Sequence, residues 1–101
     1  MARVYDLGRE RIVDPGEVLT GPLRALRIVT LSKGEQQQLS THGSESTWFV
    51  LRGSGSVTSG STRVPLMTGS SVSLPLGTEA TLEADDERLE FFQAELMVPG
   101  D

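Results

Sequence analysis

The chain has no cysteine and a single histidine. Without cysteine there is no disulfide framework, no thiolate metal site and no cysteine nucleophile. Positive charge is short as well: 9 Lys and Arg against 14 Asp and Glu leave a formal net charge of -5. A phosphate backbone is bound mainly by clustered Lys and Arg, so nucleic acid is excluded as the expected partner. No apolar run approaches the roughly 20 residues that span a membrane. The first residues carry Arg3, Asp6, Arg9, Glu10, Arg11 and Asp14 where a signal peptide would have an apolar core. A cytoplasmic protein is expected, with no membrane partner.

Long stretches of helix formers are also scarce. What is present is punctuation, with Gly 11, Pro 5 and many Ser and Thr in 101 residues, a composition that favours short strands joined by tight turns. The class read from this is all-β. The length is that of one domain, placed at 1–101, with an N-terminal arm over 1–22. The arm holds a short strand-like piece from Val4 to Leu7 and a turn at Asp14-Pro15-Gly16.

Leu23 to Leu31, rich in Leu, Ile and Val, reads as a strand. From Glu35 to His42 polar residues dominate, and period-2 geometry puts Gln36, Gln38, Ser40 and His42 on one face and Gln37, Leu39 and Thr41 on the other. Trp48, Phe49, Val50 and Leu51 are consecutive, so a strand there must bury both faces. One face fills the core with Trp48 and Val50, and the other, with Phe49 and Leu51, needs a second layer or a second subunit; a homodimer is expected. Val57 lies in a hairpin whose tip is Ser59-Gly60-Ser61, and Val64 to Met67 returns. Short strands follow at Val72 to Leu74 and Ala80 to Glu83, then a hairpin tip at Asp85 to Glu87. In the closing strand, Arg88 to Val98, Glu90 and Glu95 fall on opposite faces, as do Phe91 and Phe92, and a β-bulge near Phe92 to Ala94 would restore one polar and one apolar face.

The glycines carry a longer-range pattern. From Gly34 the chain runs five residues to Ser40, then Thr41, His42, three more to Ser46 and six more to Gly53. From Gly69 it runs five to Pro75, then Leu76, Gly77, two more to Ala80 and three more to Ala84. These spacings resemble the two motifs of the cupin superfamily, G-x5-H-x-H-x3-E-x6-G and G-x5-P-x-G-x2-H-x3-N, in the manner of a small, single-domain conserved barrel. The resemblance covers residues 23–98 and implies an antiparallel β-barrel or jelly roll. In metal-binding cupins the two histidines and the glutamate of the first motif and the histidine of the second hold one ion. Here those positions read Ser40, His42, Ser46 and Ala80, so one ligand of four remains, and neither a metal nor another cofactor is expected.

The resemblance turns Gln36, Gln38, Ser40 and His42 inward, and Trp48 shares the parity of Ser46. Gln36, Gln38, Ser40, His42, Ser46 and Trp48 then make a lining of neutral hydrogen-bonding groups beside one broad indole, with Ala80 leaving room where a histidine would project. Such a wall suits a small organic ligand selected by shape and hydrogen bonds. His42 is also the one candidate general base, but no Asp or Glu is forced near it.

Three functions follow for weighing. The first is a metal-free small-molecule binder acting as sensor, carrier or accessory protein. The second is a metal-dependent enzyme of dioxygenase or isomerase type, with His42 supplemented by Gln38 or Glu45, although a one-residue offset sends Glu45 to the opposite face and it reads as a loop residue. The third is a structural dimerisation module with a closed pocket.

Overall fold

A computed structural model describes residues 6–17, 19, 21–85 and 88–98. In chain order these form α1 (Leu7–Glu10), β1 (Ile12–Val13), a 3-10 turn (Pro15–Glu17), β2 (Leu23–Ser32), β3 (Gln36–Ser40), β4 (Ser44–Arg52), β5 (Ser54–Ser59), β6 (Thr62–Met67), β7 (Ser71–Leu74), β8 (Glu79–Ala84) and β9 (Arg88–Met97). All pairings are antiparallel. They build a five-stranded sheet in the order β1-β2-β9-β4-β7 and a four-stranded sheet in the order β3-β8-β5-β6. The all-β class expected from composition, and the barrel or jelly roll that the resemblance implies, are what the chain forms. Its arm adds β1 to the edge of the larger sheet, where Val13 faces Leu26.

Alternation along the central strands places the core. Trp48 and Val50 of β4, Leu89 and Phe91 of β9 and Leu31 of β2 meet Leu82 and Ala84 of β8 between the sheets. Val50, Leu82, Leu89 and Phe91 are fully buried, each worth roughly 1.5–3 kcal/mol of apolar burial. Trp48 and Phe91 are packed edge to face with ring centroids 5.5 Å apart, the arrangement that the ring quadrupoles favour.

The glycine frame has a geometric basis. Gly34, Gly53, Gly69 and Gly77 all have positive φ, at 80°, 93°, 93° and 81°, the region open to glycine at little cost. Gly53 is constrained twice, because a Cβ there would overlap the carbonyl oxygen of Arg88. The hairpin tip also lies where the sequence put it, between Ser59 and Thr62.

Three local expectations change. The closing strand has no bulge at Phe92 to Ala94: β9 pairs with β2 in unbroken register from Ala25↔Glu95 to Ser32↔Arg88. The irregularities fall on the partner strands instead, between Leu23 and Ala25 and between Val50 and Arg52. The two glutamates do point to opposite faces, and neither is stranded, because each meets arginines. Outside, Glu90 accepts from the Thr30 hydroxyl at 3.3 Å and lies 3.4–3.8 Å from Arg11, Arg52 and Arg88. Inside, Glu95 meets Arg27. In the arm, Leu7 opens α1 rather than ending a strand, and Val4 and Tyr5 lie outside the described residues, as do Asp86 and Glu87 of the expected tip. Glu45 stands in β4, not in a loop, and its Oε2 accepts from the Leu76 amide at 3.0 Å.

Candidate functional site

Cross-strand partners share a face, so the register of β3 on β8 fixes which way β3 side chains point. Leu39 opposes Ala80 and Gln37 opposes Leu82, while Gln36, Gln38 and Ser40 oppose Glu83, Thr81 and Glu79. Ala80 and Leu82 are buried core residues. The inward set of β3 is therefore Gln37 and Leu39, and the expected inward set of Gln36, Gln38, Ser40 and His42 is corrected: Gln36, Gln38 and Ser40 belong to the outer face, and all four are exposed.

The reason lies in the bend between the sheets. Counting by twos back from Ser46 would carry an inward parity to His42 and Ser40, but the chain turns at Thr41, His42 and Gly43, where Gly43 has φ 92°. Thr41 takes the buried place at 3% exposure. Its hydroxyl lies 2.6 Å from the Pro75 carbonyl and 3.1 Å from that of Thr78, and it accepts from the Thr78 amide at 2.8 Å. His42 is thereby left on the surface, its side chain 74% exposed and its Nε2 3.9 Å from Glu79 Oε1, also on the surface.

Ser46, Trp48 and Ala80 do face inward. Ser46 Oγ accepts from Trp48 Nε1 at 3.1 Å, and Trp48 is 6% exposed. Beyond them, toward the mouth, three residues that the sequence reading passed over come together. Arg27 of β2 opposes Gln93 of β9, and Arg27 Nη1 donates to Gln93 Oε1 at 2.9 Å and to Glu95 Oε1 at 2.7 Å. Gln93 is 3% exposed. A plain period-2 count finds them, since Arg27 follows Ala25 and precedes Val29 and Leu31, while Gln93 and Glu95 follow Leu89 and Phe91; the bulge assumed in β9 hid that count.

A cavity of about 200 Å³ opens here between the sheets, lined by Arg27, Gln93, Glu95, Trp48, Ser44 and Ser46 on the larger sheet and by Gln38 to Thr41 on the other side. Gln38 and Ser40 border it from the free edge of β3, whereas Gln36, His42 and Ala80 do not line it. A wider depression of about 530 Å³ lies against the smaller sheet, bordered by Gln38, Ser40, Thr58, Glu79, Ala80 and Thr81. Its side chains are mostly those of the outer face, and no group of buried donors converges on it. The Arg27, Gln93 and Glu95 cluster borders the smaller cavity.

No protein-family model matches the chain, and no curated protein matches it by sequence. Solved structures do match. A Cupin 2 conserved barrel domain protein from Salinispora arenicola superposes with TM-score 0.75 at 18% identity, covering 95% of this chain and 87% of that one. A cupin protein from Bacteroides fragilis gives 0.74 at 18% identity, with 98% and 89% covered. The chain has the cupin fold. A predicted oxalate decarboxylase from Thermotoga maritima is similar too, with TM-score 0.70 at 19% identity over 76% of this chain and 69% of that one. At these identities the likeness carries the cupin architecture and not the chemistry.

Metal-binding cupins hold their ion with four inward side chains, and the donors of this barrel do not fit one. His42 and Ser40 are on the outside, Ser46 Oγ already accepts from the indole, and Ala80 has no donor atom. Among the described residues no three of His, Asp and Glu come together as a metal-holding group. Neutral hydroxyls compete poorly with water for a first-row ion, and the inner face carries a guanidinium beside the cavity instead. Among the described residues no helix is long and apolar enough to cross a membrane.

Proposed function

We propose that this cupin binds a small organic molecule, without a metal, in the cavity at the barrel mouth, and that it acts as a sensor, carrier or accessory protein rather than as an enzyme. One observation carries the reading. Gln93 is almost wholly buried, its Oε1 is taken by Arg27, and its amide nitrogen makes no hydrogen bond among the described residues although it belongs to the cavity wall. Among the described residues Ser56 Oγ is the one side-chain polar atom both sealed from solvent and without a partner, so the Gln93 nitrogen is open to the cavity and offers a donor to whatever occupies it. The indole of Trp48 supplies an apolar surface beside it. At about 200 Å³ the space is below the roughly 300–1,000 Å³ of drug-sized sites, so the ligand is a small metabolite.

The test is a screen of small metabolites read by thermal shift and by emission of Trp48, the single tryptophan. Binders should raise the midpoint and alter the emission together. A broad screen in which nothing does either would leave the dimerisation-module reading in its place.

A homodimer is part of the proposal. Ile28, Phe92 and Phe49 are adjacent across β2, β9 and β4 on the outer face of the larger sheet, and Phe49 and Leu51 remain 42% and 38% exposed. A second copy seated there would cover this row.

A further inference from the structure

One guanidinium on the cavity wall keeps part of its donor fork free, beside two further donors, and from that grouping we infer that the ligand of this site carries a carboxylate. The inference rests on the small-molecule reading above and adds the ligand's class. On the donor side, Arg27 spends Nη1 on Gln93 and Glu95, while its Nη2 and Nε have no hydrogen-bond partner among the described residues. The Gln93 amide nitrogen, at a residue 3% exposed, is likewise unpartnered there. Ser46 Oγ accepts from the indole, so its own hydrogen remains to be given.

On the acceptor side Glu95 is the one carboxylate of the wall, and it is already engaged by Arg27 at 2.7 Å with Arg24 Nε at 3.8 Å. Arg27 and Glu95 are thus the two charged residues of the wall, paired through one guanidinium nitrogen, and Arg24 approaches Glu95 from outside the lining. A group that brings acceptors in one plane is what the free side of the Arg27 fork can take. A carboxylate supplies up to about four lone-pair sites in a plane that matches the guanidinium fork. Its hydrocarbon remainder would lie against Trp48.

Glu95 then has a definite role as the internal counter-ion that occupies Arg27 when the site is empty and competes with the incoming ligand. This gives the inference a sign that a purely structural ion pair would not have: removing the Glu95 charge tightens carboxylate binding.

The experiment titrates the full chain with benzoate, propionate and pyruvate, with their amides, and with inorganic phosphate, reading Trp48 emission and the melting midpoint. At least one carboxylate should bind saturably, with its amide weaker by about tenfold or more, the equivalent of one charge-assisted hydrogen bond. Arg27→Gln should weaken it by a similar factor, and Glu95→Gln should tighten it about threefold or more. If Arg27→Gln does not fold, the comparison of acid with amide on the unaltered chain decides. Amides binding as well as acids, phosphate binding in preference to all three acids, or Glu95→Gln weakening the complex would overturn the carboxylate and leave the pocket standing if another molecule binds. No binding by any of the three acids also overturns it, and only a blank metabolite screen in addition defeats the pocket itself.

Discussion

Arg27 and Glu95 meet at 2.7 Å across neighbouring strands, on the face that the barrel turns inward. Their side chains are 34% and 18% exposed, so the pair is partly desolvated but open to the mouth. Removing Arg27 would leave Glu95 with Arg24 at 3.8 Å alone and Gln93 Oε1 without its donor. Arg27→Ala should therefore cost about 1–3 kcal/mol, less than the roughly 3–5 kcal/mol of breaking a fully buried pair. Urea unfolding measures it; a change within experimental error would mean that the pair is held by water rather than by its partners.

Glu90 is the counterpart on the outer face, with a side chain 9% exposed beneath three arginines that are 46–64% exposed. Glu90→Gln keeps the shape and removes the charge around which Arg11, Arg52 and Arg88 gather, so the substitution should destabilise by about 1–2 kcal/mol. Most of the lost attraction and the new repulsion among arginines are exposed to salt, which screens them. The difference from the parent chain should therefore shrink between low and high ionic strength, and a salt-independent difference would assign the cost to packing.

Gly53 and Gly69 share a φ of 93° but differ in surroundings. At Gly69 a Cβ would have nothing within 4 Å, while at Gly53 it would overlap the Arg88 carbonyl oxygen on the neighbouring strand. Gly69→Ala should cost about 1–2 kcal/mol from backbone strain alone. Gly53→Ala should cost that and more, because β9 must also move. Equal losses in the two variants would show that the strand gap yields at no cost.

These glycines are also why the fold could be read from the sequence at all: positive φ and close approach restrict the residue type, so their spacing survives although the side chains between them have changed. The inward face was legible where strands run without interruption, as at Ser46, Trp48, Val50 and Ala80. It was misread where the resemblance turned Gln36, Gln38, Ser40 and His42 inward, because the bend at Thr41 to Gly43 resets the backbone and a two-residue period has no meaning through it. The Arg27, Gln93 and Glu95 cluster was missed for a related reason. Placing charge inside a small barrel conflicts with the usual pattern, and a bulge looked cheaper than an internal ion pair that only the pairing of β2 with β9 could reveal.

Thr41 and His42 allow that reading of the bend to be tested side by side. Thr41→Val keeps the volume but leaves the Thr78 amide and the Pro75 and Thr78 carbonyls without the hydroxyl, at an expected cost of about 1–3 kcal/mol. Hydrogen exchange should quicken at the Gly77 and Thr78 amides, which bond the Thr41 backbone carbonyl and hydroxyl. His42→Ala, at an exposed site, should change stability by no more than about 0.5 kcal/mol and leave ligand affinity unaltered. A His42→Ala variant with clearly weaker binding would return the histidine to the site and reverse the register argument.

Phe49 offers the test of assembly. It lies next to Phe92 across β4 and β9, on the face away from the core, and at 42% exposure its ring is half covered by its own chain. A glutamate there would place an unpaired charge in the middle of the Ile28, Phe92 and Phe49 row, where a second copy would have to desolvate it, while the isolated barrel could keep the carboxylate in water. Phe49→Glu should therefore separate association from folding: sedimentation should give a monomer in place of a dimer, with an unchanged far-UV spectrum and Trp48 still buried in emission. A parent chain that sediments as a monomer would remove the dimer outright. A Phe49→Glu dimer of undiminished stability would move the interface to another face of the barrel.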